Sequence, residues 1–264
     1  MSTTTESLGK PTLARTQPIA AVPFTRLLHV ELRKQIDTRA GRWLLITLGI
    51  VTALIMLIVV WVSAPENLTF MNLVLGAAVP QSLLLPVIGI MAVTSEWSQR
   101  TGMVTFALEP RRGRVVAAKV LSALGLGIAA VVAAIVLAAV ANVAGMAFQD
   151  GVGTWTLDWE VLGGFLLTQL LVVAQGVAFG MILLNTPAAI VTYFILPTVL
   201  SLLGGLVSWL QTPSQWLDMN STMGPLVAGT MDGDAWAKLA VSSLVWVVLP
   251  LVAGTWRVLH REVK

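Results

Sequence analysis

Apolar residues along this chain fall into six blocks of roughly 20, the length at which an α-helix crosses the hydrocarbon core of a bilayer. The blocks run from Trp43 to about Val62, Leu73 to Val93, Val120 to Ala144, Leu162 to Leu184, Ala188 to Val207 and Leu239 to Trp256. Each predicts a membrane-spanning helix, so the expected fold class is an all-α polytopic membrane protein. Trp43 and Trp61 bracket the first block, at the headgroup depth where indole rings are favoured. Although it ends in Val62-Ser63-Ala64, this block is too long and begins too late for a cleavable signal, and it reads as a permanent span. The second block holds Pro80 and Pro86, each of which removes a backbone hydrogen bond and can kink the helix. The third is dense in Ala and Gly, which permit close helix packing. Only the Asn185-Thr186-Pro187 turn separates the fourth from the fifth, which predicts a helical hairpin.

Residues 1–22 are rich in Thr, Ser, Pro and Ala without an apolar period, a composition expected of a disordered tail. Over 23–42 the pattern changes: Phe24, Leu27, Leu28, Leu32 and Ile36 recur at helical spacing with Arg26, Arg33, Lys34 and Arg39 largely between them. That periodicity predicts an amphipathic helix at the membrane surface, with a short soluble linker helix as the alternative.

Composition agrees with the block pattern: 56% of residues are hydrophobic and 11% charged, against roughly 25% charged in soluble domains. Of the 16 Lys and Arg, all but Lys238 lie in the N-terminal segment, in the segment between the second and third blocks, or after the last block. The remaining loops carry Glu66, Asp150, Asp158, Glu160, Asp218, Asp232 and Asp234. By the positive-inside rule, both termini and the basic loop are expected in the cytoplasm, with the protein in the cell membrane. The net charge of +3 is interleaved with apolar blocks rather than gathered into a patch, which argues against a nucleic-acid partner. The lack of cysteine excludes disulfides and thiolate chemistry.

No Asp, Glu, Lys, Arg or His falls within the six blocks, whereas proton- or ion-driven transporters usually need such groups at depth. There is no G-x-x-x-x-G-K-[ST] loop, no H-E-x-x-H and no dinucleotide fingerprint, so neither ATP hydrolysis nor metal-assisted catalysis is expected of this chain. His29 and His260 read as interfacial residues. Polar side chains within the blocks, among them Gln81, Gln169, Gln175 and Tyr193, suit interhelical hydrogen bonds; lining a substrate path is the alternative.

The segment 95–119 carries the most distinctive pattern. Ser95-Glu96-Trp97-Ser98-Gln99-Arg100-Thr101-Gly102 leads through Thr105, Phe106 and Leu108 to Glu109-Pro110-Arg111-Arg112-Gly113-Arg114 and Lys119. A short helix followed by a Pro-led basic turn is a form suited to docking a soluble partner; an ordinary positive-inside loop explains the arginines but not the Glu96, Trp97 and Pro110 framing. The order of a basic amphipathic helix (Glu31-Leu32-Arg33-Lys34 to Asp37-Thr38-Arg39), two spans, a Glu-aromatic-x-x-x-Thr loop ending in Pro-x-Arg and Lys, and four more spans resembles permeases of the ABC type-2 exporter family. Arg100 departs from the glycine that many relatives carry before the loop threonine.

The resemblance implies an exporter half in which two membrane subunits pair, in a homodimer, above two copies of a separate ATP-binding subunit that holds the ATP and Mg; this chain needs no cofactor of its own. It assigns subunit contacts to Glu96, Trp97, Arg100, Thr101, Thr105, Phe106, Pro110 and Arg112 in the loop, and to Glu31, Arg33, Lys34, Asp37 and Arg39 on the helix. By the same likeness, residues 208–236 are short outer helices dipping into the external leaflet, for which Trp209, Trp216 and Trp236 suit an interfacial layer. The rival functions are a membrane scaffold indifferent to the 95–119 loop, and a lipid-modifying enzyme using Asp158, Glu160, Asp232 and Asp234.

Overall fold

A computed structural model describes residues 22–99, 101–149 and 153–261, which are helical with no β-strand among them. In chain order the helices are α1 (Phe24–Asp37), α2 (Arg39–Val62), α3 (Phe70–Gly76), α4 (Ala78–Ser98), α5 (Gly102–Leu108), α6 (Arg112–Phe148), α7 (Trp159–Leu183), α8 (Thr186–Leu206), α9 (Gln211–Leu217), α10 (Met219–Ala228), α11 (Gly233–Ser243) and α12 (Leu249–His260). Six stretches are long and apolar enough to cross a membrane: α2, α3 with α4, α6, α7, α8, and α11 with α12.

The helices overrun the apolar blocks where polar residues remain helical. The expected loop 95–119 is largely helix: α4 continues to Ser98 and α6 begins at Arg112, leaving α5 and two short joints between them. At about 1.5 Å per residue, α6 is about 55 Å long and outreaches a bilayer core of about 30 Å. The N-terminal amphipathic helix ends at Asp37, and Thr38 starts the first span by accepting a hydrogen bond from Gly41 N at 3.2 Å. Its inward arc is rotated from the expected one: Leu27 and Glu31 are buried and Lys34 half-buried, while Ile36, expected on the apolar face, is exposed.

Helices α4 and α7 form the centre and touch through glycine. A Cβ on Gly89 would sit 2.6 Å from Val173 O, one on Gly176 would strike the Pro86 carbonyl, and one on Gly180 would approach Ile90 O to 3.1 Å. Gly176 and Gly180 form a G-x-x-x-G pair, the spacing that puts two missing side chains on one helix face and lets backbones meet in a lipid solvent. Around this seam, Leu85, Ile88, Ile90, Val173, Val177 and Met181 are buried. By contrast, α2 and α8 bury only a minor share of their apolar surface within the chain.

The sixth crossing is interrupted. A π-helical turn over Leu244–Val248 joins α11 to α12, just before Pro250. Proline lacks an N–H and crowds the carbonyl four residues back, and a π turn is one of the few ways to absorb that within a continuous helix. Beyond it, Gly254 packs against Met181, with a hypothetical Cβ 2.5 Å away.

In segment 208–236, α9 and α10 pack beside this crossing, α10 leading from the depth of Trp246 back to the first turns of α7. Trp246 Nε1 donates to Leu217 O at 2.6 Å, and Trp246 lies about 20 Å along the helix from Gly233. Asp218, expected in water with the other acids, is instead buried at this depth. Its carboxylate accepts from Ser201 Oγ at 2.9 Å, Ser221 Oγ at 2.7 Å and Asn220 N at 3.0 Å, which caps α10 and ties it to α8.

Candidate functional site

Where α1, α4, α5 and α6 meet, four charged side chains form a closed ring of alternating sign. Lys34 Nζ donates to Glu31 Oε1 at 2.6 Å and to Glu96 Oε1 at 2.8 Å. Lys119 Nζ donates to Glu31 Oε2 at 2.7 Å and lies 3.0 Å from Glu96 Oε1. Thr105 Oγ1 on α5 adds a bond to Glu96 Oε1 at 3.1 Å. The ring is formally neutral, as burial demands: isolated charges are far too costly away from water, while paired and hydrogen-bonded ones persist. Burial alone would lower the pKa of Lys34, but the hydrogen bonds and charges of Glu31 and Glu96 outweigh it and hold the ammonium above its ordinary range.

The local sequence explains how the ring assembles. Glu31 and Lys34 lie three residues apart and share one face of α1. Glu96 sits in the last turn of α4 and Lys119 in the second turn of α6, so only the helical extensions beyond the apolar blocks bring them level. Gln35 Nε2 fastens the same face of α1 to Ser122 Oγ on α6 at 2.6 Å.

A second cluster lies beside the ring. Trp97 and Phe106 pack with ring centroids 6.3 Å apart, the Arg112 guanidinium 4.9 Å from the Phe106 ring and that of Arg261 5.4 Å from Trp97. Arg112 also donates to the carbonyls of Val258, Leu259 and Arg261, the last at 2.7 Å. A cation thereby satisfies the free carbonyls that end α12. Arg114 is held between Glu109 Oε2 at 2.9 Å and Val22 O at 2.6 Å.

The structure thus brings together Glu31, Lys34, Glu96 and Thr105 in one network and Trp97, Phe106 and Arg112 in another. Glu31 and Glu96, expected in a contact surface, are both buried, and their oxygens accept from lysines of the same chain. Arg33 and Asp37 pair with each other at 2.8 Å on the exposed arc of α1, while Arg39, Thr101 and Pro110 are exposed. Arg100 lies outside the described residues. Sequence reasoning missed Lys119 as a member of the ring; its place at the polar entry of an apolar block is the one signal it offered.

Gln81, Gln169, Gln175 and Tyr193 are buried in the bundle. Gln81 Nε2 donates to Ala130 O at 2.8 Å, whereas Gln169 is fully buried and, among the described residues, neither of its amide atoms has a hydrogen-bond partner. An unmatched buried amide costs about 1–3 kcal/mol. Gln169→Leu is therefore expected to raise thermal stability in detergent; a loss of stability would mean that the amide is matched after all. The acids expected outside serve locally: Asp158 caps α7 through Glu160 N and Val161 N, Asp232 caps α11 through Ala235 N, and Asp234 pairs with Lys238. Among the described residues, no group of three His, Asp or Glu is placed to hold a metal ion.

Compared with known proteins, the chain matches no family model and no curated sequence.

Proposed function

We propose that this chain is the membrane permease subunit of an ATP-driven exporter of the ABC type-2 kind, moving an amphiphilic or hydrophobic substrate outward across the cell membrane. The observation that carries the reading is the two-sided character of α5. On one side Met103, Val104 and Leu108 are 56%, 63% and 75% exposed; on the other, Thr105 and Phe106 are bound into the charged ring and the aromatic stack. An apolar surface on a short helix between two spans serves as a docking face for a soluble partner. Force applied there reaches Glu96 of α4 through Thr105, and from Glu96 passes to α1 and α6 through Lys34 and Lys119.

In this reading two ATP-binding subunits, carrying ATP and Mg, press on α5 from the cytoplasm, where both termini lie. A second copy of this chain pairs along the bundle, for which the sparsely covered faces of α2 and α8 leave room. Arg33 and Asp37 on the exposed arc of α1 and Arg39 at the start of α2 are open to the same partners, while Glu96 holds α5 through Thr105.

The test is purification of the chain together with the ATPase encoded beside it. Leu108→Asp combined with Met103→Asp is expected to weaken that association about tenfold or more, equivalent to about 1.4 kcal/mol. Both positions are exposed, so thermal unfolding should move by no more than about 0.5 kcal/mol. An unmodified chain that moves cargo in liposomes on an ion gradient, with no ATPase present, would overturn the proposal.

A further inference from the structure

Between α1, the first turns of α2, the end of α4 and α5 lies a cavity of about 620 Å³, within the range of about 300–1,000 Å³ typical of ligand sites. Its wall is mainly apolar, with Leu44 and Leu45 of α2 and Met91 of α4 facing Val30 of α1. Its charged lining is unequal in what it offers. The carboxylates of Glu31, Glu96 and Glu109 have side chains 2%, 8% and 8% exposed, each within an ion pair. The side chain of Lys34 is 41% exposed, and Arg26 on the same wall is exposed as well. With the ring itself neutral, the basic group beyond it on this wall is Arg26, and Lys34 keeps one ammonium N–H besides those given to Glu31 and Glu96. Gln35 also lines the space, its Nε2 held by Ser122 Oγ on α6.

The cavity sits at the level where α2 enters its apolar run and α4 leaves its own, which is headgroup depth at the basic end of the bundle. We infer that it holds a membrane lipid with an anionic headgroup, its phosphate against Arg26 and Lys34 and the start of its acyl chains along Leu44, Leu45 and Met91. The lipid then wedges α1 against the bundle and completes the wall of the charged ring. Val104 and Leu108 of α5 border the cavity as well, but lipid retention is read on the chain alone, with no ATPase present, so its failure is distinguishable from a failure of the docking reading.

The experiment uses the full-length chain in mild detergent, supplied with equal amounts of phosphatidylglycerol and phosphatidylcholine of matched acyl chains, with bound lipid counted by native mass spectrometry. Phosphatidylglycerol is expected to be retained about fivefold over phosphatidylcholine, the factor given by about one basic residue acting on an anionic headgroup. Arg26→Gln should abolish most of that preference, and Val30→Trp, which fills the cavity from an exposed position on α1, should lower retention of both lipids. Excess inorganic phosphate should not displace the lipid, because it cannot use the apolar wall. Equal retention of the two lipids, a preference unchanged in both variants, or displacement by inorganic phosphate alone would each overturn the inference.

Discussion

Replacing Lys119 by methionine is expected to cost about 3–5 kcal/mol of stability, because it leaves two buried carboxylates facing one ammonium. Glu31 Oε2 loses its partner outright, and Glu96 keeps only Lys34 and Thr105. Thermal unfolding in detergent measures the loss, and limited proteolysis shows whether α1 has lifted from α6. Pairing Lys119→Met with Glu31→Leu restores neutrality and should recover part of the loss, with a coupling of about 0.5–3 kcal/mol in a double-mutant cycle. A single variant as stable as the parent would mean that the ring contributes nothing. Lys34 adds a pH signature. Its folded pKa is raised, so its contribution is fully present below its ordinary value of 10.5 and fades as the pH rises through the folded value. Stability should thus show no Lys34-dependent change around neutrality and should decline only in strongly alkaline solution.

Gly176→Leu is expected to force the central helices apart at a cost of about 1–3 kcal/mol or more. The obstacle is backbone rather than side chain: the added carbon would meet the carbonyl of Pro86 and lie 2.9 Å from its Cα. Neither atom moves without shifting α4 as a whole, and Pro86 itself stiffens that stretch. Gly163, one face away on the same helix, has open space around it, so Gly163→Leu is the matched control and should fold normally in the same thermal assay. Equal behaviour of the two variants would contradict the close seam between α4 and α7.

Hydropathy made the six crossings legible because lipid imposes one rule on every exposed face, and a run of apolar residues is its direct record. It marked their ends poorly for the same reason. Ser95–Ser98 and Arg112–Lys119 are helical although polar, and what keeps them so is pairing with α1, with Lys119 meeting Glu31 across 88 positions of sequence. Such a pairing leaves no periodicity in either segment. The residues Glu31, Lys34, Glu96 and Thr105 could be singled out from pattern and resemblance, yet whether they turn outward to a partner or inward to each other depends on the phase of three helices at once. The same limit hid Asp218: it falls among the acids expected outside, in a segment expected to form short outer helices, and only the packing of α9 and α10 beside Trp246 takes it out of water. Gln169, an amide within an apolar run, was visible from the start, but its lack of a partner is a property of the packed bundle.

One inserted residue governs the end of the chain. The wider turn at Leu244–Val248 takes up about one position more than an α-helical turn, and each position is worth about 100° of rotation. All of α12 is therefore clocked by that turn: it is what aims Gly254 at Met181, Arg257 at the carbonyl of Ile182, and the terminal carbonyls at Arg112. Tightening the turn to an ordinary helical one would swing those three contacts together off their targets, so the fastening of the last helix to the charged end of the bundle is set from near the middle of the crossing rather than where the contacts are made.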